Sequence, residues 1–155
     1  MNMVDDFHFD STDRKIVKYL IRDARMKVVD IASAIGVTGA AIHQRLSKIR
    51  KSGLVQQFTV QLDERKLGFK TCCFVGVFLD KNSQYQEVLG ELSGIEEVVE
   101  VYYTTGQYGL FLKVYAQDND QLMQILNGRI QKIKGITRTE TFISLEQPIQ
   151  RGVPV

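Results

Sequence analysis

The chain is poor in several residue types. Its 155 residues include two cysteines, two prolines and two histidines. No apolar run approaches the ~20 residues that cross a bilayer, so no membrane span is expected. The first ten residues hold three aspartates and no Lys or Arg, the opposite of a signal or transit peptide. Cys72 and Cys73 are adjacent. Neighbours on a strand point to opposite faces, which makes them poor candidates for an ordinary structural disulfide. With no Cys-x-x-Cys and no His-x-x-x-His, neither a metal site nor a cofactor is expected. Glu96, Glu97 and Glu100 form no nucleophile–base–orienter set, so an enzyme is not expected. These absences read as a soluble protein of a reducing compartment, the cytoplasm.

A surplus of one charge is also missing: 20 Lys and Arg face 18 Asp and Glu, a net +2. That total conceals an asymmetry. Residues 11–60 hold ten basic and three acidic groups, a local +7, whereas residues 61–155 hold ten basic and twelve acidic, a local −2. The positive field lies on one segment, where a polyanion would bind.

Periodicity changes at the same place. Ile16, Val17, Leu20 and Ile21 have helical spacing, with Ser11, Thr12 or Asp13 as the cap. Val28, Ile31, Ala32 and Ile35 mark a second helix, Val29–Ile35, stopped by Gly36. Thr38 caps a third, Gly39–Lys51, with Ile42, Leu46 and Ile49 on one face and Gly53 as its stop. Val55, Phe58, Val60 and Leu62 then alternate as an extended segment that breaks near Gly68. Beyond it the pattern predicts strand Thr71–Leu79, helix Ser83–Leu92, strands Val98–Thr105 and Leu110–Ala116, a helix from Asp118 or Asn119 through Ile133, and strand Ile136–Leu145. The order βαββαβ is ferredoxin-like. Pro148 and Pro154 mark an irregular end. The expected organisation is α+β: a helix-turn-helix, winged-helix-like domain over 1–54, a hinge strand or linker over 55–70, a ferredoxin-like domain over 71–147, and a tail over 148–155.

In a helix-turn-helix the third helix enters the major groove by its N-terminal part. Set aside Ile42, Leu46 and Ile49, and the outward positions include Gly39, Ala40, His43, Gln44 and Ser47. Small residues at the start permit close approach. Gln44 suits adenine, and His43 can donate to a base or phosphate. Arg45, Lys48, Arg50 and Lys51 concentrate cation for phosphate. The expected DNA contacts are Thr38, His43, Gln44, Arg45, Lys48 and Lys51. The plain alternative is a three-helix packing unit whose basic residues form a solvated face.

A ferredoxin-like sheet has helices on one face only. Alternation assigns Cys73, Val75, Val77, Leu79, Val99, Val101, Leu110, Leu112, Val114 and Ile143 to the helix side. It assigns Phe74, Phe78, Tyr102, Phe111, Tyr115 and Phe142 to the open side. An open aromatic face of this kind marks an interface, and a two-fold homodimer is expected to cover it. A cover supplied by the N-terminal segment or the tail is the alternative. A dimer also gives two recognition helices for two half-sites. In a core strand the cysteines behave as small hydrophobes.

Several short motifs now stand in a telling order. Phe9-Asp10-Ser11-Thr12-Asp13-Arg14-Lys15-Ile16 resembles Leu-Asp-x-x-Asp-x-x-Ile, the opening of the Lrp/AsnC family. Asp23-Ala24-Arg25 with Asp30-Ile31-Ala32, then Val37-Thr38, Ile42, Arg45, Leu46 and Ser52-Gly53-Leu54-Val55 resemble its second helix, recognition helix and exit. Leu67-Gly68, Gly135-Ile136 and the Thr139-x-Thr141 pair resemble its hinge end and last strand. The resemblance implies a transcription regulator acting on double-stranded DNA, with a C-terminal domain that senses a small molecule, typically an amino acid. It also implies dimers that often join into octamers, with the effector between dimers near a Gly-x-Tyr/Phe-Asp turn. Here that turn places Thr104, Thr105, Gly106, Gln107, Tyr108 and Gly109 as the expected effector residues. Gly109 stands where the family Asp is common, which removes a carboxylate suited to an effector ammonium. A ligand-independent architectural DNA-binding protein of the same fold is the second reading. A small metabolic enzyme or its regulatory subunit is the third.

Overall fold

The computed structural model describes residues 8–80 and 85–155. It divides into two compact units. One runs to Gln61 and takes back Arg151–Val155; the other is Leu62–Gln150.

The first unit is three helices: α1 (Ser11–Arg22), α2 (Val28–Ile35) and α3 (Gly39–Lys51). The α1 cap is Asp10, not one of the three residues expected from the sequence. Its carboxylate accepts from the Thr12 and Asp13 amides at 2.8 and 2.9 Å, and Asp13 reaches back to the Asp10 amide at 3.2 Å. This reciprocal box satisfies amides that the first turn leaves without helical partners. Gly36, at φ 80°, ends α2 in the left-handed region and aims the chain into the turn. Thr38 then caps α3 by accepting from the Ala41 amide at 3.2 Å. Ile16, Ile31, Ile42 and Ile49 are fully buried, each contributing about 1.5–3 kcal/mol of transfer free energy. Val155 packs against this core, so the end of the expected tail, though irregular, belongs to the helical unit.

Of the hinge strand or linker expected over 55–70, the strand does not form. Residues 56–63 carry no hydrogen-bonded strand, and 64–68 form a turn closed by Gly68 at φ 97°. An extended segment becomes a ladder only when a neighbour takes its amides and carbonyls, and no ladder partner is present for this one among the described residues. Val60 and Leu62 remain 74% and 58% exposed.

The second unit contains β1 (Thr71–Leu79), α4 (Tyr85–Leu92), β2 (Val98–Tyr103), β3 (Leu110–Ala116), α5 (Asn119–Met123) and β4 (Ile136–Ile143). The sheet is antiparallel in the order β2-β3-β1-β4, the ferredoxin-like arrangement. Residues 83 and 84 of the expected Ser83–Leu92 helix lie outside the described residues. Capped by Asp118, α5 widens into a π turn over Gln124–Arg129 and ends as a 3-10 turn over Ile130–Lys132. The uninterrupted helix read from the sequence is therefore broken, and Asn127-Gly128, both poor helix formers, lie in the break.

The helix-facing layer is Cys73, Val75, Val77, Leu110, Leu112, Val114 and Ala116, packed on Val88, Leu92, Leu122, Ile125 and Ile130. Two residues assigned to it by alternation are exposed. Val99 is 50% exposed, because the β2–β3 register shifts between Val98 and Glu100 and Val98 packs inward instead. Ile143 lies opposite Cys73 at the end of an outer strand and is 54% exposed. Among the described residues no helix is long and apolar enough to cross a membrane.

Candidate nucleic-acid interface and sensing turn

The buried stripe of α3 fixes which side chains look out. His43, Gln44, Ser47, Lys48 and Lys51 are exposed, as is Thr38 at the cap. No acidic residue lies in the first turn, whereas Lys48, Arg50 and Lys51 cluster in the last. Arg50 lies 5.4 Å from the Phe58 ring centroid, which steadies one cation without neutralising it.

Arg45, also expected from the sequence as a DNA contact, is engaged within the fold. Its Nη1 donates to Asp10 Oδ2 and to Asp13 Oδ1, each at 2.8 Å. The Arg45 side chain is 35% exposed and the Asp13 side chain 4%. Position 45 borders the core face, and the guanidinium turns toward the α1 cap instead of outward. The Asp10 carboxyl falls to about 2 from an ordinary 3.8, first through the Asp13 amide and then through Arg45.

The six aromatics assigned to the open sheet face lie there, and Phe74 and Phe111 stack with centroids 5.8 Å apart. Tyr108 joins them, which alternation did not reveal. From its turn it folds back over Gly76, with Phe78 at 5.2 Å, Phe111 at 5.8 Å and Phe142 at 6.4 Å between centroids. The Tyr108 hydroxyl donates to Glu140 Oε2 at 2.7 Å, and that bond raises its pKa above the ordinary value. Arg138 pairs with Glu140 at 2.8 Å and lies 4.1 Å from the Phe78 ring centroid. At the other flank Lys113 pairs with Glu100 at 3.2 Å. The Tyr102 hydroxyl and then Lys113 hold the Glu100 carboxyl below its ordinary value. The patch is an aromatic centre with charged margins. Sequence reasoning missed Glu140 and Arg138; their alternation with Thr137, Thr139 and Thr141 along β4, opposite Gly76 and Phe78 of β1, was the available signal.

The 104–109 turn separates into parts. The Thr104 amide donates to the Gly109 carbonyl at 3.2 Å, and the Gly109 amide to the Val77 carbonyl at 2.9 Å. The Thr104 hydroxyl donates to the Tyr108 carbonyl. Thr105, Gly106 and Gln107 form an exposed tip. A Cβ at Gly109 would lie 2.8 Å from Leu79 Cδ1, so any side chain there requires Leu79 to move.

On the open face, Cys72 is half-buried, while Cys73 lies in the core. Burial pushes both thiols up, Cys73 to about 11, which removes the thiolate character a reactive cysteine needs.

A helix-turn-helix with an outward basic helix, followed by a ferredoxin-like unit, defines a DNA-binding regulator of the two-unit type. Comparison with known proteins makes this specific. Residues 9–50 match the AsnC-type helix-turn-helix domain, and residues 72–154 the Lrp/AsnC ligand binding domain. The regulatory protein AsnC of Haemophilus influenzae is 42% identical over 146 residues, which is 94% of this chain and 97% of that protein. The solved Escherichia coli AsnC superposes with a TM-score of 0.91 at 34% identity, covering 96% of this chain and 100% of that one. A Neisseria meningitidis transcriptional regulator solved with L-methionine shares the fold, with a TM-score of 0.89 at 17% identity over 93% of this chain and 94% of that one. The chain belongs to the Lrp/AsnC family and is a DNA-binding transcription regulator, not an enzyme.

Proposed function

We propose that α3 reads duplex DNA through Thr38, His43, Gln44, Lys48 and Lys51, and that the aromatic sheet face pairs two chains around a two-fold axis. The observation that carries the first part is the exposed strip of α3 opposite its buried stripe. Gln44 offers both an acceptor and a donor to adenine, while Lys48 and Lys51 serve phosphate. Arg45 is left out of the contact set, because its guanidinium is already shared by two carboxylates. The aromatic face supports pairing by its large, partly exposed rings and charged margins. The unladdered 56–60 segment offers backbone groups that a second chain can satisfy. Octamers built from such dimers, and action in the cytoplasm, follow from the family resemblance.

For the effector, the exposed tip Thr105-Gly106-Gln107 supplies hydroxyl, amide and backbone groups to a small polar molecule of the amino-acid class. The Tyr108 ring and the Gly109 amide are already committed within the fold. The second reading, a ligand-independent architectural protein, is favoured by one observation: residues 104–109 contain no carboxylate. Selection of duplexes from a random pool, followed by Gln44→Ala and Lys48→Ala variants, tests the DNA face. The expected result is a loss of sequence preference for the first and a uniform loss of affinity for the second. A thermal-shift series across the twenty amino acids tests the effector: stabilisation by a subset supports sensing, and a flat series supports the architectural reading.

A further inference from the structure

Arg45 lies next to Gln44 and three residues before Lys48, in the middle of α3. One of its nitrogens is held at 2.8 Å by two carboxylates from the start of α1. Asp13 is 3% exposed, the only buried charged residue among the described residues, and its second oxygen accepts from the Asp10 amide. Asp10 is itself the cap of α1, so the bridge ties the middle of one helix to the first turn of another. The other contacts of α3 with the core run through Ile42, Leu46 and Ile49. The hydrophobic term behind aliphatic packing is non-directional. A guanidinium shared between carboxylates is directional. Setting register is the best-attested use of buried polar and ionic groups, whose desolvation cost offsets much of their attraction.

We propose that Arg45 is a positioning residue for DNA recognition: its bridge to Asp10 and Asp13 sets the rotation of α3 that presents Gln44 and Lys48, and it does not itself touch DNA. The proposal rests on α3 being the reading helix. It reverses the usual electrostatic expectation. Removing a negative charge near a DNA-binding helix normally tightens binding; here it loosens specific binding.

The test uses the full chain, a duplex selected from a random pool by the unaltered protein, and a scrambled duplex of equal length. Asp10→Asn is the central variant. Asparagine caps as well as aspartate, but the amide nitrogen it turns toward Arg45 can only donate. Affinity for the selected duplex is expected to fall about tenfold, equivalent to ~1.4 kcal/mol, with affinity for the scrambled duplex unchanged or tighter. Asp13→Asn is expected to act in the same direction; if circular dichroism shows it unfolded, Asp10→Asn carries the test. Arg45→Met is expected to weaken selected-duplex binding without changing the slope of log K against log salt. Lys48→Ala is expected to flatten that slope by about 0.9 per protomer. The proposal is overturned if Asp10→Asn leaves the selected-to-scrambled ratio unchanged or raises selected-duplex affinity. It is equally overturned if Arg45→Met flattens the slope as Lys48→Ala does. If Lys48→Ala and Gln44→Ala are also silent, the reading helix itself has been misassigned and the positioning role falls with it. Silence of Asp10→Asn beside an effective Lys48→Ala refutes the positioning role alone.

Discussion

Gly76 sits in the middle of β1, and its backbone does not require glycine, since its φ lies outside the left-handed set of Gly36, Gly53, Gly68 and Gly135. It is glycine for space. A Cβ there would lie 2.5 Å from two carbons of the Tyr108 ring. Two effects therefore compete in Gly76→Ala. Alanine in a strand is worth about 0.5–1 kcal/mol over glycine, whereas overpacking against a rigid ring costs about 1–3 kcal/mol. The clash wins at the middle of both ranges, for a net destabilisation of about 1 kcal/mol within a span of about 0–2.5 kcal/mol. For a unit of this size, 1 kcal/mol lowers the midpoint of thermal unfolding by about 4–8 °C. The measurement is denaturant or thermal unfolding at matched protomer concentration, so that association does not shift the midpoint. The decisive arm is the same substitution in a Tyr108→Ala background. With the ring gone, the strand preference alone remains, and Gly76→Ala becomes stabilising by about 0.5–1 kcal/mol. Equal destabilisation in both backgrounds would refute the assignment of Gly76 to the seating of Tyr108.

Other expectations follow from the same geometry. The depressed Asp10 carboxyl contributes stability to the helical unit that is fully present above pH 3.8 and is lost as pH falls toward about 2; acid titration of helicity should show that decline, and Asp10→Asn should flatten it. Phe111→Glu places a charge in the aromatic face, so sedimentation should show the proposed dimer of the unaltered chain replaced by monomer; a dimer unchanged by the substitution would move the interface elsewhere. Both thiols should resist a disulfide reagent at neutral pH in the folded protein and react once it is unfolded, since burial raises them, Cys73 to about 11.

Local signals carried far where the physics is local. The bounds of α3, β1 and β3 read from the sequence match the structure residue for residue. Amphipathic period, a threonine cap and a following glycine all agree there. What escaped the sequence depends on partners distant along the chain. The inward turn of Arg45 needs carboxylates 32 and 35 residues earlier. The seating of Tyr108 needs a missing side chain at Gly76 and an acceptor 32 residues later. The shift that turns Val98 inward and leaves Val99 exposed is a one-residue irregularity, and strict alternation has no means of registering it. The hinge segment fails for a further reason: its extended pattern is genuine, but a strand is a property of a pair.

The inward turn of Arg45 also changes how the charge asymmetry should be read. Residues 11–60 carry a local +7, yet a cation counts toward DNA only if it can displace a counterion. Of the basic residues on α3, Lys48, Arg50 and Lys51 are exposed, while Arg45 is compensated by Asp10 and Asp13. Each neutralised phosphate contributes about −0.9 to the slope of log K against log salt. A two-fold dimer whose three exposed α3 cations all meet phosphate therefore gains a slope of about −5 from that helix, and counting Arg45 raises it to about −7. The difference between Lys48→Ala and Arg45→Met isolates the distinction, because every other contact is shared. A loss of slope in the first and none in the second means that the positive field of the segment divides into cations that bind DNA and one that aims them.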